Sequence, residues 1–179
     1  MAINKPISFA SAWVALAASA SLLLLTASAT ASGPPLTGSG DGMFTGVEVT
    51  SERQAGVNSI QTRTLHGVIT SGPLDGSFIQ HVSGVVNQQT GRVTFDGVLI
   101  FTGTVEGCSE EGQVDTVTLG LSGRGQAGTS PVTEASFRVI DRRLDEGANT
   151  LPVTGQGTVN QNGNILTYDL QYKCRVGDS

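Results

Sequence analysis

Reactive and cationic side chains are scarce in this chain. It holds two histidines, two cysteines, one tryptophan, and 10 Lys and Arg against 15 Asp and Glu. His66 and His81 have no cysteine partners at metal-ligand spacing, which argues against a zinc-type site. No G-x-S-x-G turn is present to present a hydrolase serine. No glycine-rich loop joins a strand to a helix, so a phosphate has no helix terminus to sit on. The acid pairs Glu110-Glu111 and Asp145-Glu146 lie in loop-like stretches, where solvated charge is the plainer reading than a glycosidase pair. Lacking a Lys/Arg cluster, the acidic surface suits neither nucleic acid nor an anionic membrane. No metal or cofactor is expected.

Long apolar runs are missing except at the start. Met1–Lys5 carries one cation, Phe9–Leu25 is largely apolar, and Ala27-Ser28-Ala29 and Ala29-Thr30-Ala31 supply small residues. This layout predicts a cleaved secretory signal peptide over residues 1–31 rather than a stable membrane anchor, the run being short for a span. Residues 32–42, rich in Gly, Ser and Pro, read as a flexible leader, and residues 43–179 as a single domain. Removing Lys5 changes the balance to 9 basic and 15 acidic residues, a net charge of −6. The only tryptophan, Trp13, leaves with the signal, so a sugar-stacking surface is a poor fit. The expected location is secreted, periplasmic or in the cell envelope.

What the chain does have is glycine, 24 residues of it, set into alternating segments. In Gly91–Cys108 (GRVTFDGVLIFTGTVEGC), Val93, Phe95, Leu99, Phe101 and Val105 share one parity, and Gly97 and Gly103 lie on the same side. Period-two alternation of this length is a strand. Glycines on its apolar face suit a curved wall, where a side chain would crowd the interior. Similar strands are expected over residues 43–51, 59–70, 77–86, 114–125, 132–140, 153–160 and 165–174. Asn162-Gly163 marks a hairpin before the last, and Asp141–Leu151 reads as a charged surface loop. Eight strands and no helical window mean an all-β, antiparallel sandwich or barrel. Strand length and internal glycines favour the barrel, whose closure removes exposed edges.

The repeats Phe44-Thr-Gly46, Phe95-Asp-Gly97 and Phe101-Thr-Gly103-Thr-Val105, with the strand Tyr168–Cys174, resemble bacterial proteins with the allene oxide cyclase-like barrel. The resemblance runs over Met43 to Cys174 and is carried by fold texture, not by an active-site motif. It implies an eight-stranded calycin-like barrel, a lumen for an apolar molecule and, as in plant members, trimers. Those enzymes steer a cyclisation by holding the substrate in one conformation; an export signal departs from them.

With the Phe95 parity inward, the expected lining is Phe95, Leu99, Phe101, Leu119, Leu121, Leu166, Tyr168 and Leu170, joined by Phe78, Gln80 and Val82. Phe44 and Glu48 are expected to share an inward face on the first strand. Glu48 and Tyr168 are the candidate catalytic groups, Glu48 through a pKa raised by desolvation. Eight strands permit either a filled interior or a cavity for one small ligand.

Cys108 and Cys174 each end a predicted strand, and in an exported chain a disulfide between them is favoured over free thiols or a thiol nucleophile. It would close a loop worth about 4 kcal/mol in the chain-entropy account. Strands four and eight lie opposite in an eight-stranded barrel, however, so the segment around Gly107 has to cross the mouth. On the outer wall Ile79, Val85, Val98 and Ile100 leave an apolar patch that predicts a homo-oligomer, dimer or trimer, packed through strands three and four. Two functions stand open. One is a secreted barrel binding a small apolar molecule, with cyclisation or isomerisation in view. The other is a non-catalytic envelope or extracellular protein with a filled barrel.

Overall fold

The computed structural model describes residues 34–110, 112, 114–128, 132–140 and 153–174. The expected signal peptide and the charged loop at 141–151 lie outside the described residues. Eight strands follow in order: β1 Leu36–Ala55, β2 Asn58–Ile69, β3 Leu74–Asn87, β4 Arg92–Val105, β5 Asp115–Gln126, β6 Val132–Val139, β7 Val153–Asn162 and β8 Ile165–Cys174. Each pairs antiparallel with its neighbour in sequence, and β8 pairs back onto β1 to close the barrel.

β1 is the seam. Its first part, Leu36–Met43, pairs with β8, and its later part, from Gly42 on, pairs with β2; only Gly42 and Met43 have partners on both sides. The stretch expected to be a flexible leader is thus a strand from Leu36 onward. Gly38, Gly40 and Gly42 recur with period two and face inward, where the barrel leaves no room: a β-carbon at Gly38 would lie 2.5 Å from the Pro73 ring, and one at Gly42 2.9 Å from Leu166. The turn-forming residues were a strand face stripped of side chains.

The pairing fixes the stagger. Followed across every strand from Gly42 through Leu166, Gln161, Thr133, Gly125, Val93, Val86 and Ser59, the ladder returns to β1 at Gln54, 12 residues along. Register breaks between Phe44 and Gly46 and between Val49 and Ser51 account for part of that advance. A stagger of this size over eight strands goes with strands tilted about 40–45° and an interior that side chains just fill. It also leaves β1 beyond Met43 paired with β2 alone, so closure does not remove every edge. The break at Thr50 and the charges of Glu48, Glu52 and Arg53 blunt that edge against pairing with another chain.

The core is the inward parity of all the strands. Phe101 is 2% exposed, and its burial stabilises the fold by about 1.5–3 kcal/mol. The inward assignment made for strands three, four, five and eight holds throughout.

Candidate functional site

The lumen takes its shape from aromatic residues paired with glycines. Across the ladders Phe78 stands opposite Gly67, Phe95 opposite Gly123, Phe137 opposite Gly157, Tyr168 opposite Gly40 and Tyr172 opposite Gly155. A β-carbon at Gly123 would lie 2.6 Å from the Phe95 ring, and one at Gly157 2.5 Å from that of Phe137. The rings of Phe78, Phe95, Phe137 and Tyr168 lie down on bare backbone, as happens where an aromatic covers a strand glycine. Gly67 serves two rings, since Phe44 also pairs with it, and Phe44 meets Phe78 edge-on with centroids 5.5 Å apart.

Space remains along the barrel axis. A partly enclosed cavity of about 60 Å³ runs from Ile69, Leu74 and Tyr168 to Thr133 and Gln161, room for about two waters. Of the residues expected to line it, Phe44, Phe78, Gln80, Phe95, Leu99, Phe101, Leu119, Leu121, Leu166 and Tyr168 do so. Leu170 instead borders a smaller void of about 30 Å³ beneath. Val82 is buried and borders neither. Sequence reasoning missed Ala135, Phe137 and Val159, although Ala135-x-Phe137-x-Val139 carries the same alternation as β4.

Glu48 does not enter the lumen. The register break after Phe44 inserts Thr45, so Gly46 pairs with the outward His66 and Glu48 with Thr64. Glu48 is exposed on the outer wall, whose Thr64 hydroxyl lies 3.1 Å from His81 Nδ1. One extra residue reverses the side chains that follow it, here as far as the second break at Thr50, which removes the acid from any chemistry inside.

The remaining polar groups are few. Gln161 accepts a hydrogen bond from the Thr133 hydroxyl at 2.9 Å and donates to the Gly163 carbonyl at 2.7 Å. The Tyr168 hydroxyl donates to the Ser71 carbonyl at 3.0 Å and accepts from the Leu74 amide at 3.4 Å. Burial pushes its phenol above the ordinary tyrosine range, against the Leu74 bond, so at neutral pH it is an occupied, uncharged group holding a loop. Gln80 differs from both. It is 8% exposed, lines the cavity, and its amide has no hydrogen-bond partner among the described residues.

One end of the lumen is sealed. After β4 the chain turns at Gly107, with φ of 74°, and brings Cys108 to Cys174 at a Cα separation of 5.1 Å. The S–S distance is 2.04 Å. The segment therefore crosses the mouth as the opposed strands require. The Tyr172 hydroxyl donates to the Glu106 carbonyl at 3.1 Å and pins the crossing from beneath.

No metal-binding group of three or more His, Cys, Asp or Glu occurs among the described residues. No family model matches the sequence, and no curated protein matches it. Among solved structures the fold is similar to a protein of unknown function from the DUF3224 family of Shewanella oneidensis MR-1. The TM-score is 0.56 and the identity 11%, over 80% of this chain and 100% of that one. The likeness is one of fold.

Proposed function

We propose that this chain is an exported, calycin-like barrel of the allene oxide cyclase-like kind that binds a small, narrow apolar molecule in its lumen. The observation that carries the reading is an apolar cavity with rings laid on glycines in its wall and the Gln80 amide at its edge without a hydrogen bond to a described residue. Apolar walls with few convergent polar groups are the usual make-up of a small-molecule site. The joined Cys108–Cys174 pair supports an oxidising compartment. No helix among the described residues is long and apolar enough to cross a membrane.

The reading is one of binding. Neither Glu48 nor Tyr168 is placed to move a proton in the lumen, so any cyclisation or isomerisation would rest on holding the substrate in one shape. The test is native mass spectrometry of protein recovered from its own export compartment. A retained organic molecule, lost in Leu99→Trp, is the expected result; an empty wild-type protein would sink the reading.

A second reading rests on the outer wall, where Ile79 and Val85 are 39% and 37% exposed. It is a non-catalytic extracellular protein whose β3–β4 face packs against copies of itself, as a dimer or trimer. Light scattering that finds a monomer at every concentration would remove it.

A further inference from the structure

We infer that the lumen selects an uncharged ligand with a carboxamide head, and that Gln80 is the residue that reads it. The inference rests on the lumen-binding reading and goes beyond it by naming the ligand's chemistry. Gln80 pairs across the wall with Leu65 on β2 and Leu99 on β4, so its neighbours on both sides are aliphatic. Its amide reaches the cavity and makes no hydrogen bond to a described residue, so a ligand that pairs with it has only water to displace. The Gln80 carbonyl accepts and its NH₂ donates at adjacent positions. A second amide, offering donor and acceptor in reverse order, satisfies both at once.

Charge is excluded by the same walls. No residue lining the cavity carries a formal charge. Tyr168, the titratable group among them, is held by Ser71 and Leu74. Arg63, the next inward position along β2 from Leu65, does not line the cavity; it donates to the Gln61 side-chain oxygen and acts electrostatically on the Glu52 carboxylate. A carboxylate drawn among the lining residues would lose its water with no cation among them to replace it. The volume sets the size: space for about two waters admits a body of about two or three carbons.

The test uses the oxidised chain at pH 7 with propanamide, propanoate and xenon as probes, followed by amide chemical shifts. Propanamide is expected to bind at least tenfold more tightly than propanoate. Gln80→Leu, and Gln80→Met as a variant of matched length, are expected to weaken propanamide about tenfold. Thermal melts establish that each variant is folded. Equal binding of propanamide and propanoate, or propanamide binding unaltered in both folded variants, overturns the role of Gln80 while xenon uptake by the parent chain leaves the lumen reading standing. Absence of xenon uptake by the parent chain overturns both.

Discussion

The two ends of the barrel are built on different principles. At the closed end the ties join residues far apart in the chain. Tyr168 reaches Ser71 across 97 residues, Tyr172 reaches Glu106 across 66, and the disulfide spans 66. At the opposite end the side-chain ties span fewer residues, such as the 36 from Gln126 to the Thr90 carbonyl, and several are local. Glu52 accepts from Ser59 and Gln61, seven and nine residues away. Asn87 caps its own turn by accepting from Gln89 and Thr90. Long-range ties remove large loops from the unfolded ensemble, whereas local ties shape a turn and leave the ring around it unfastened. The cavity lies between a floor that is locked and a rim that is only trimmed, which is how a one-mouthed container would be arranged.

The sharpest way to break the contrast is to cut the floor. Cys108→Ser with Cys174→Ser is expected to cost about 4 kcal/mol, read as a lower midpoint in denaturant unfolding. Hydrogen exchange should quicken first in Thr70–Leu74 and Glu106–Cys108, while the Ala55–Asn58 turn keeps its rate. Uniform quickening over both ends would show that the floor is not a separate lock.

Next in size is the wall beneath it. Gly40→Ala puts a methyl against the Ser71 carbonyl and the Tyr168 ring and is expected to cost about 1–3 kcal/mol. Gly46→Ala, outward and with no atom nearer than 3.9 Å, is expected to change stability by about 0.5 kcal/mol or less. Equal costs in thermal melts would mean that seating rings on glycine does not organise the lumen.

The same positions mark what was legible in the sequence. Period-two alternation delivered seven of the strands to within about three residues at either end, because burial on one face leaves few other patterns. It placed the inward parity correctly wherever no register break intervened. The signal failed where side chains are missing or an extra residue is inserted. Gly38, Gly40 and Gly42 alternate as faithfully as Phe95, Gly97 and Leu99, but a face made of hydrogen atoms looks like a linker. Thr45 has no mark that separates a bulge residue from a strand residue, so Glu48 came out on the wrong wall. Gln80 was legible as a lumen residue, yet its want of a partner was not, since that depends on what surrounds it in three dimensions.

Smaller still is the tyrosine pin. Tyr168→Phe removes two hydrogen bonds from the Ser71–Leu74 loop and is expected to cost about 1–2 kcal/mol. It also alters the response to alkali. Burial raises the folded-state pKa of both tyrosines, Tyr172 also feeling Glu106. Their contribution is fully present below the unfolded value of about 10 and is lost as pH climbs through the higher folded value. The variant should therefore lose less of its remaining stability between neutral pH and pH 11 than the parent. A parallel decline of the two would show that the phenol is not held uncharged by the fold.

The smallest effect is expected at the rim, and it has the opposite sign in pH. Hydrogen bonds from Ser59 and Gln61 hold the Glu52 carboxyl below its ordinary range, with Arg63 adding attraction. A depressed folded-state pKa contributes stability above the unfolded value near 4.5, lost as pH falls through the folded one. Glu52 is fully solvated, so water screens most of that contribution. Glu52→Gln should flatten the acid limb of the melting curve slightly and leave the alkaline limb untouched, while Tyr168→Phe does the reverse. If Glu52→Gln moved the midpoint as far as the tyrosine variant does, the rim would be a structural lock in its own right. The barrel would then be fastened at both ends, and entry to the lumen would have to come from opening of the wall itself.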